Sequence, residues 1–318
     1  FENGGQYNLS LSVWLQVLIT WLPNSIWLTR GLPALITLLF PLAGGLYLRD
    51  HLKARFWWLT PYIVSAIPAW FLHSRTAFET ALGASLYCLF LFLYANYRLR
   101  DRRWLIPTLV AGALAFYSYC PLQLVVVLSG VIFLLVDWRY HFENPKSWQR
   151  GLATLVLLAA PYLVFRLTHA EAFAQHLRIV HSYWVSGISV LEKFGLFFWR
   201  WLKGFTPFYW YFPNDQDLIR HLMKGYGHLP WLFLPFTLLG LWRCLRQWRP
   251  PDIYILLIAL LVAPSGAALV DVAITRLLVM VVPLALLTAL GVNEALVWLS
   301  AKMKKNRLPA VSLALALA

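Results

Sequence analysis

Ala81-Leu82-Gly83-Ala84-Ser85-Leu86-Tyr87-Cys88-Leu89-Phe90-Leu91-Phe92-Leu93-Tyr94-Ala95-Asn96-Tyr97 contains no charged side chain. Extended back to Ala77, a helix of this run is long enough to cross a hydrocarbon layer roughly 30 Å thick. Just before it stand His73-Ser74-Arg75-Thr76-Ala77-Phe78-Glu79-Thr80, and before those a second apolar run, Phe56–Leu72. Two membrane helices joined at that hinge put Arg75 and Glu79 at a membrane face. Four residues apart, the two share a face if the segment is helical. A charge at the edge of hydrocarbon is costly unless paired or hydrated, so the hinge is the first place to look for chemistry.

The rest of the chain fits a membrane reading. It is 60% hydrophobic and 13% charged, with 17 Trp, 15 Tyr and 20 Phe, whereas soluble domains average roughly 45–50% apolar and about 25% charged. The net charge of +14 would suit nucleic acid. The basic residues, however, fall in short clusters between apolar runs, as topology signals do, and no nucleic-acid partner is expected. Cys88, Cys120 and Cys244 are scattered, with neither metal-site spacing nor a disulfide framework. They read as small core hydrophobes. The chain opens on Phe1 without a signal-peptide pattern and ends inside the apolar Leu308–Ala318. It therefore reads as a piece of a longer protein.

Leu9–Pro23 is short and interrupted by Ser10, Ser12, Gln16 and Thr20, which predicts an interfacial or re-entrant helix. Crossings are predicted at Trp27–Leu48, Phe56–Leu72, Ala77–Tyr97, Trp104–Tyr119, Pro121–Val136 and Gly151–Thr168, then at Leu229–Trp242, Ile253–Val270 and Leu277–Leu299. Between the two sets, residues 169–228 break the rhythm. This long connection holds His169, His176, His181, the aromatic Phe197–Phe212 and polar Asn214–Asp217. Val190–Lys203 within it reads either as a further span or as an interfacial helix. Most of the 27 Lys and Arg fall at 49–55, 98–103, 139–150, 243–249 and 302–307, at alternate turns. That side is the cytoplasm by the positive-inside rule. His73–Thr80, the Tyr117–Pro121 turn, 169–228 and Asp271–Arg276 then face outward. The fold class is an all-α polytopic membrane protein, since ten-residue alternating strands of a barrel are absent. No Gly-rich phosphate loop is present to suggest ATP hydrolysis.

Several side chains on the outer side could carry chemistry. Glu79 suits a divalent cation (Mg or Mn) or an acceptor nucleophile; the competing reading is a structural carboxylate neutralised by Arg75. Arg75 and Arg276 suit a bidentate grip on phosphate, with headgroup anchoring as the alternative. Arg30 and Arg166 read as anchors. His169, His176 and His181 lack the i, i+4 spacing of a helical zinc pair. Asp215 and Asp217 could bind a cation or acceptor, though a solvated loop is the simpler reading. The aromatic residues from Trp199 to Phe212 read as an interfacial anchor.

Ser74-Arg75-x-x-x-Glu79, after a span that ends outside, is similar to the Ser-Arg-x-x-x-acid segment of PMT-like (protein O-mannosyltransferase-type) glycosyltransferases of the GT-C superfamily. Leu114-Ala115-Phe116-Tyr117-Ser118-Tyr119 with Pro121 resembles the Leu-aromatic-Tyr-x-Tyr turn of bacterial members. Ile274-Thr275-Arg276-Leu277-Leu278, with Pro283 and Ala289-Leu290-Gly291, resembles their late helix. Phe1-Glu2-Asn3-Gly4 is similar to the Phe-Glu-Lys-Pro stretch of lipid A aminoarabinose transferases, with asparagine in place of the lysine.

The resemblance implies a GT-C-like transmembrane helix bundle with a long extracytoplasmic loop. In that reading 1–26 is the remnant of a first extracytoplasmic loop with an interfacial helix, and 27–168 holds transmembrane helices. The extracytoplasmic loop is 169–228, and 229–318 holds the C-terminal helices. The first helix and the presumed base would then lie in a missing N-terminal segment. The implied reaction takes a sugar from a polyprenyl- or dolichyl-phosphate donor to a lipid, glycan or protein acceptor. It occurs at the extracytoplasmic face of a bacterial or archaeal plasma membrane. Glu79 matches an acidic site residue near the metal or donor phosphate, and Arg75 and Arg276 match phosphate-facing positions. Glu2, Ser74, His73, Asp271, Tyr117 and Tyr119 are secondary candidates. A transporter or flippase of a lipid-linked substrate, or a non-catalytic assembly subunit, are the competing functions. A transporter would place its polar groups near the bilayer midplane.

Overall fold

A computed structural model describes residues 2–3, 6–7, 11–23, 25–77 and 79–305. Phe1, Gly4, Phe78 and Leu308–Ala318 lie outside the described residues. Apart from a two-residue antiparallel pair, β1 (Glu2–Asn3) with β2 (Gln6–Tyr7), the regular structure is helical. In chain order come α1 (Leu11–Val17), α2 (Ile26–Thr37), α3 (Leu39–Asp50), α4 (Thr60–Ser65), α5 (Pro68–His73) and α6 (Glu79–Leu99). Next are α7 (Leu105–Phe116), α8 (Cys120–Val136), α9 (Trp138–Phe142), α10 (Pro145–Thr168), α11 (Ala172–Ile179), α12 (Val190–Lys203) and α13 (Pro207–Tyr211). The last are α14 (Leu234–Arg246), α15 (Pro251–Val262), α16 (Ser265–Ala268), α17 (Ile274–Leu277) and α18 (Val281–Lys305).

Among the described residues, five helical runs are long and apolar enough to cross a membrane: Ile26–Asp50, Glu79–Leu99, Pro145–Thr168, Pro251–Ala268 and Ile274–Met303. Their burial differs sharply. The Glu79–Leu99 run is 94% buried and Pro145–Thr168 only 6%. The helix read first from the sequence is thus the central one, packed against α2, α3, α7, α15 and α18. Its side chains are apolar on all sides because protein surrounds it, whereas α10 turns the same kind of residues outward. At the crossing of α14 and α18 the backbones nearly touch. A Cβ on Gly240 would strike the Leu287 carbonyl, and one on Gly291 the Phe236 carbonyl.

The predicted span Phe56–Leu72 is not one helix. A 3₁₀ turn at Trp57–Leu59 leads into α4, and the chain breaks at Ile67, which is extended (φ −79°, ψ 114°), before α5 starts on Pro68. Proline has no N–H to continue a helix and disfavours helical backbone in the residue before it. Pro264 likewise divides the predicted Ile253–Val270 into α15 and α16. Residues 169–228 form short packed helices. Among them α12 begins with a reciprocal capping box between Ser189 and Glu192. Its 14 residues reach only ~21 Å, short of a bilayer core. It exposes Val190, Leu191, Phe194, Phe198 and Trp199 along one side.

The basic clusters at 49–55, 98–103, 139–150 and 243–249 gather at one end of the bundle. Asp50 there pairs with Arg49 (2.6 Å) and Arg100 (3.0 Å), joining the ends of α3 and α6. Arg98 pairs with Asp137 at the end of α8 (2.6 Å), Arg243 with Glu294, and the Phe56 N–H donates to Asn293 Oδ1 (3.0 Å). At the opposite end lie the start of α6, the turn between α7 and α8, residues 169–228 and the start of α17.

Candidate active site

Glu79 is the first residue of α6, where unsatisfied N–H groups and the helix dipole favour a negative charge. Among the described residues its carboxylate accepts one hydrogen bond, from Ser12 Oγ of α1 (3.1 Å). The interrupting serine of Leu9–Pro23 therefore has a partner 67 positions away. Tyr119, in the turn before α8, completes the neighbourhood. Burial pushes its hydroxyl up to about 12, against the pull of the Arg276 charge and a hydrogen bond with Thr275, while Glu79 adds to the rise. Tyr119 is thus within reach of Glu79 on one helix start and of Thr275 and Arg276 on another. The Arg276 charge also reaches His176 on α11, whose pKa burial and that charge together lower. His176 Nδ1 is buried with no hydrogen-bond partner among the described residues.

Arg75 does not join them. The expectation that Arg75 and Glu79 share a helix face fails because α5 ends at His73 and the chain turns before α6 begins. Arg75 instead donates from Nε to the Phe71 carbonyl (3.0 Å) and lays its guanidinium 3.7 Å above the Phe71 ring. No ion pair links Arg75 to Glu79 among the described residues, so the reading of Glu79 as a carboxylate neutralised by Arg75 is set aside. Tyr117 also points elsewhere. Its hydroxyl donates to the Leu158 carbonyl (2.8 Å) and accepts from the Tyr162 N–H (3.2 Å), both on α10. Ser74 contributes its carbonyl, which accepts from Thr37 Oγ1 (3.3 Å). Asp271 is exposed, its Oδ1 accepting from the Val272 N–H (2.8 Å). Arg276 Nη1 reaches the Asp271 carbonyl at 3.5 Å. Glu2 lies in β1, and its side chain is outside the described set.

His73 belongs to a second cluster that sequence reading missed. Its Nδ1 meets the Ala69 carbonyl (2.7 Å) and its Nε2 the Nδ1 of His221 (3.2 Å), whose Nε2 accepts from Arg220 Nε (3.2 Å). These contacts fit two neutral imidazoles with all protons pointing the same way. Beside them the side chain of Asp217 is buried, not solvated, and binds Tyr209, His228 and the Ile274 N–H. Only the concentration of His, Asp and aromatic residues in 207–228 hinted at this.

The described residues include no group of three or more His, Cys, Asp or Glu arranged to hold a metal.

The fold is similar to that of ArnT. The crystal structure of ArnT from Cupriavidus metallidurans in the apo state matches with a TM-score of 0.57 and 16% identity, over 92% of this chain and 51% of that one. The structure of the same protein bound to undecaprenyl phosphate matches with a TM-score of 0.56 and 17% identity, over 91% and 50%. The chain thus spans about half the length of the ArnT chains it matches. No protein-family model and no curated protein matches it. ArnT and this chain share a helical architecture, and at this level of identity the likeness concerns the fold alone.

Proposed function

We propose that this chain forms part of a PMT-like glycosyltransferase. It would move a sugar from a polyprenyl-phosphate-linked donor to an acceptor at the extracytoplasmic face of a bacterial or archaeal plasma membrane. The observation that carries this reading is that Tyr119 lies within reach of both the Glu79 and the Arg276 charges, at the end of the bundle opposite the basic loops. The fold likeness to ArnT, whose crystal structure holds undecaprenyl phosphate, supports it.

Cleaving the bond between sugar and phosphate leaves a polyprenyl phosphate, so negative charge grows on phosphate oxygens during the reaction. Arg276 offers a planar guanidinium fork matched to such oxygens. A fixed positive charge where water is scarce stabilises that developing charge without reorganisation. Glu79 supplies a carboxylate that can orient the acceptor hydroxyl. Its one described hydrogen bond comes from a neutral serine, and an incoming acceptor hydroxyl can take the same position. Tyr119, held protonated at neutral pH, can donate a hydrogen bond but cannot act as the base. The acceptor, whether lipid, glycan or protein, meets the same carboxylate. Against the transporter reading, Glu79 and Arg276 stand in the first turns of their helices, away from the middle of the spans.

Titrating the purified protein in lipid nanodiscs with undecaprenyl phosphate and with undecaprenol tests this reading. The phosphate should bind and the alcohol should not at the same concentration, and Arg276→Gln should erase the difference. Equal binding of phosphate and alcohol, or undiminished phosphate binding by Arg276→Gln, contradicts it.

A further inference from the structure

Asp217 lies apart from Glu79, and its side chain is only 3% exposed. Oδ1 accepts the Ile274 N–H (2.8 Å), and Oδ2 accepts the Tyr209 hydroxyl (2.9 Å) and faces His228 Nε2 (3.1 Å). Burial alone would raise its pKa, but the hydrogen bonds from His228, Ile274 and Tyr209 outweigh burial and hold the carboxyl below its ordinary value. It is therefore a charged carboxylate at neutral pH.

Ile274 opens α17, the start of the helical run to Met303, and its N-cap residue, Ala273, has no side-chain oxygen to offer the first turn. First-turn N–H groups have no acceptor within their own helix. The Asp217 carboxylate supplies one from 57 positions away, with a charge that suits the positive end of the helix dipole. Arg276 stands two residues further along the same turn. On its other flank the Asp217 cluster grips α5. The His228 carbonyl accepts the Ala69 N–H (3.1 Å), and His221 bonds His73, the last residue before the turn that leads to Glu79.

We propose that Asp217 is a positioning residue that fixes the first turn of α17, and with it Arg276, relative to the turn before Glu79. The proposal rests on Arg276 as the ligand of the donor phosphate. Asp217 touches neither Glu79 nor Arg276 in this scheme and acts only by placing them.

A double-mutant cycle separates positioning from general stability. Wild type, Asp217→Asn, Arg276→Gln and the double variant are titrated with undecaprenyl phosphate in lipid nanodiscs, and their melting temperatures are recorded. Asp217→Asn keeps the side-chain shape and should weaken binding about tenfold. In the Arg276→Gln background the same change should cost less than about twofold, because its route to the phosphate is already gone. If Asp217→Asn lowers the melting temperature, Tyr209→Phe carries the test. It removes one of the three hydrogen bonds and should weaken binding about threefold, again only while Arg276 is present. Wild-type affinity in Asp217→Asn, or the same fold-loss with and without Arg276, overturns the proposal while leaving the role of Arg276 intact. A wild-type protein that does not bind undecaprenyl phosphate overturns the role of Arg276, and the positioning role falls with it.

Discussion

Asp137 and Glu79 are carboxylates near opposite ends of the central helix α6, and their surroundings differ in kind. Asp137, 4% exposed, accepts from Tyr94 Oη (2.7 Å), Arg98 Nε (2.6 Å) and Tyr254 Oη (2.6 Å). It ties α6 and α15 to the junction of α8 and α9 and has little capacity left for a ligand. Glu79 accepts one described hydrogen bond, from the short helix α1, and its charge reaches the Tyr119 hydroxyl. A carboxylate with most of its lone pairs engaged holds a fold together. One left with free lone pairs is equipped to meet a substrate.

The contrast can be broken in four places. The largest expected effect is on stability at the basic end. Asp137→Ala leaves Arg98 and two tyrosine hydroxyls without their acceptor and should cost about 3 kcal/mol, read as a lower melting temperature in nanodiscs. Glu79→Ala should leave that temperature within a degree or two of wild type. Second, the two outer arginines should separate. Arg276→Gln should weaken undecaprenyl phosphate binding by about thirtyfold, as expected for a lost charge-assisted contact. Arg75→Gln, whose guanidinium rests on Phe71, should change binding by less than about twofold.

The third concerns pH. Burial, and then the charge of Arg220, lower the His221 pKa below its usual 6.5. The unfolded chain then binds a proton that the folded chain refuses, so stability is full above about pH 6.5 and falls as the pH drops. The melting temperature of wild type should decline between pH 7 and pH 5, and His221→Gln should flatten that decline. Asp217 shifts in the same direction, but its loss comes only below the ordinary carboxylate range. The smallest expected effect is that of Tyr119→Phe. It should weaken phosphate binding about threefold and leave the melting temperature unchanged.

Much of the architecture was legible because it follows from composition and from where charge is tolerated. Clusters at 49–55, 98–103, 139–150 and 243–249 marked one end of the bundle, and the ion pairs of Asp50, Asp137 and Glu294 lie there. The interruptions were harder to read. Phe56–Leu72 is uncharged throughout, and only Pro68 betrays the break at Ile67. In the site, Glu79 and Arg276 were visible as charges on the side that basic clusters avoid. Arg75 and Tyr117 were singled out on the same side, and their separation from Tyr119 depends on a turn at 74–76 and a helix packing that spacing rules do not encode. Asp217 could not have been found from the chain alone. Its partners lie 8, 11 and 57 positions away, and its neighbours Asp215 and Gln216 look equally polar.

Transfer itself gives the most direct test. The full-length protein and its Glu79→Gln variant are placed in nanodiscs with an undecaprenyl-phosphate-linked labelled sugar and an acceptor-bearing membrane extract, and the label is followed from donor to product. Wild type should transfer the sugar. Glu79→Gln should lose at least about a hundredfold in rate while keeping its melting temperature and its affinity for undecaprenyl phosphate. Wild-type-level transfer by Glu79→Gln would contradict the assignment of Glu79 to the chemistry.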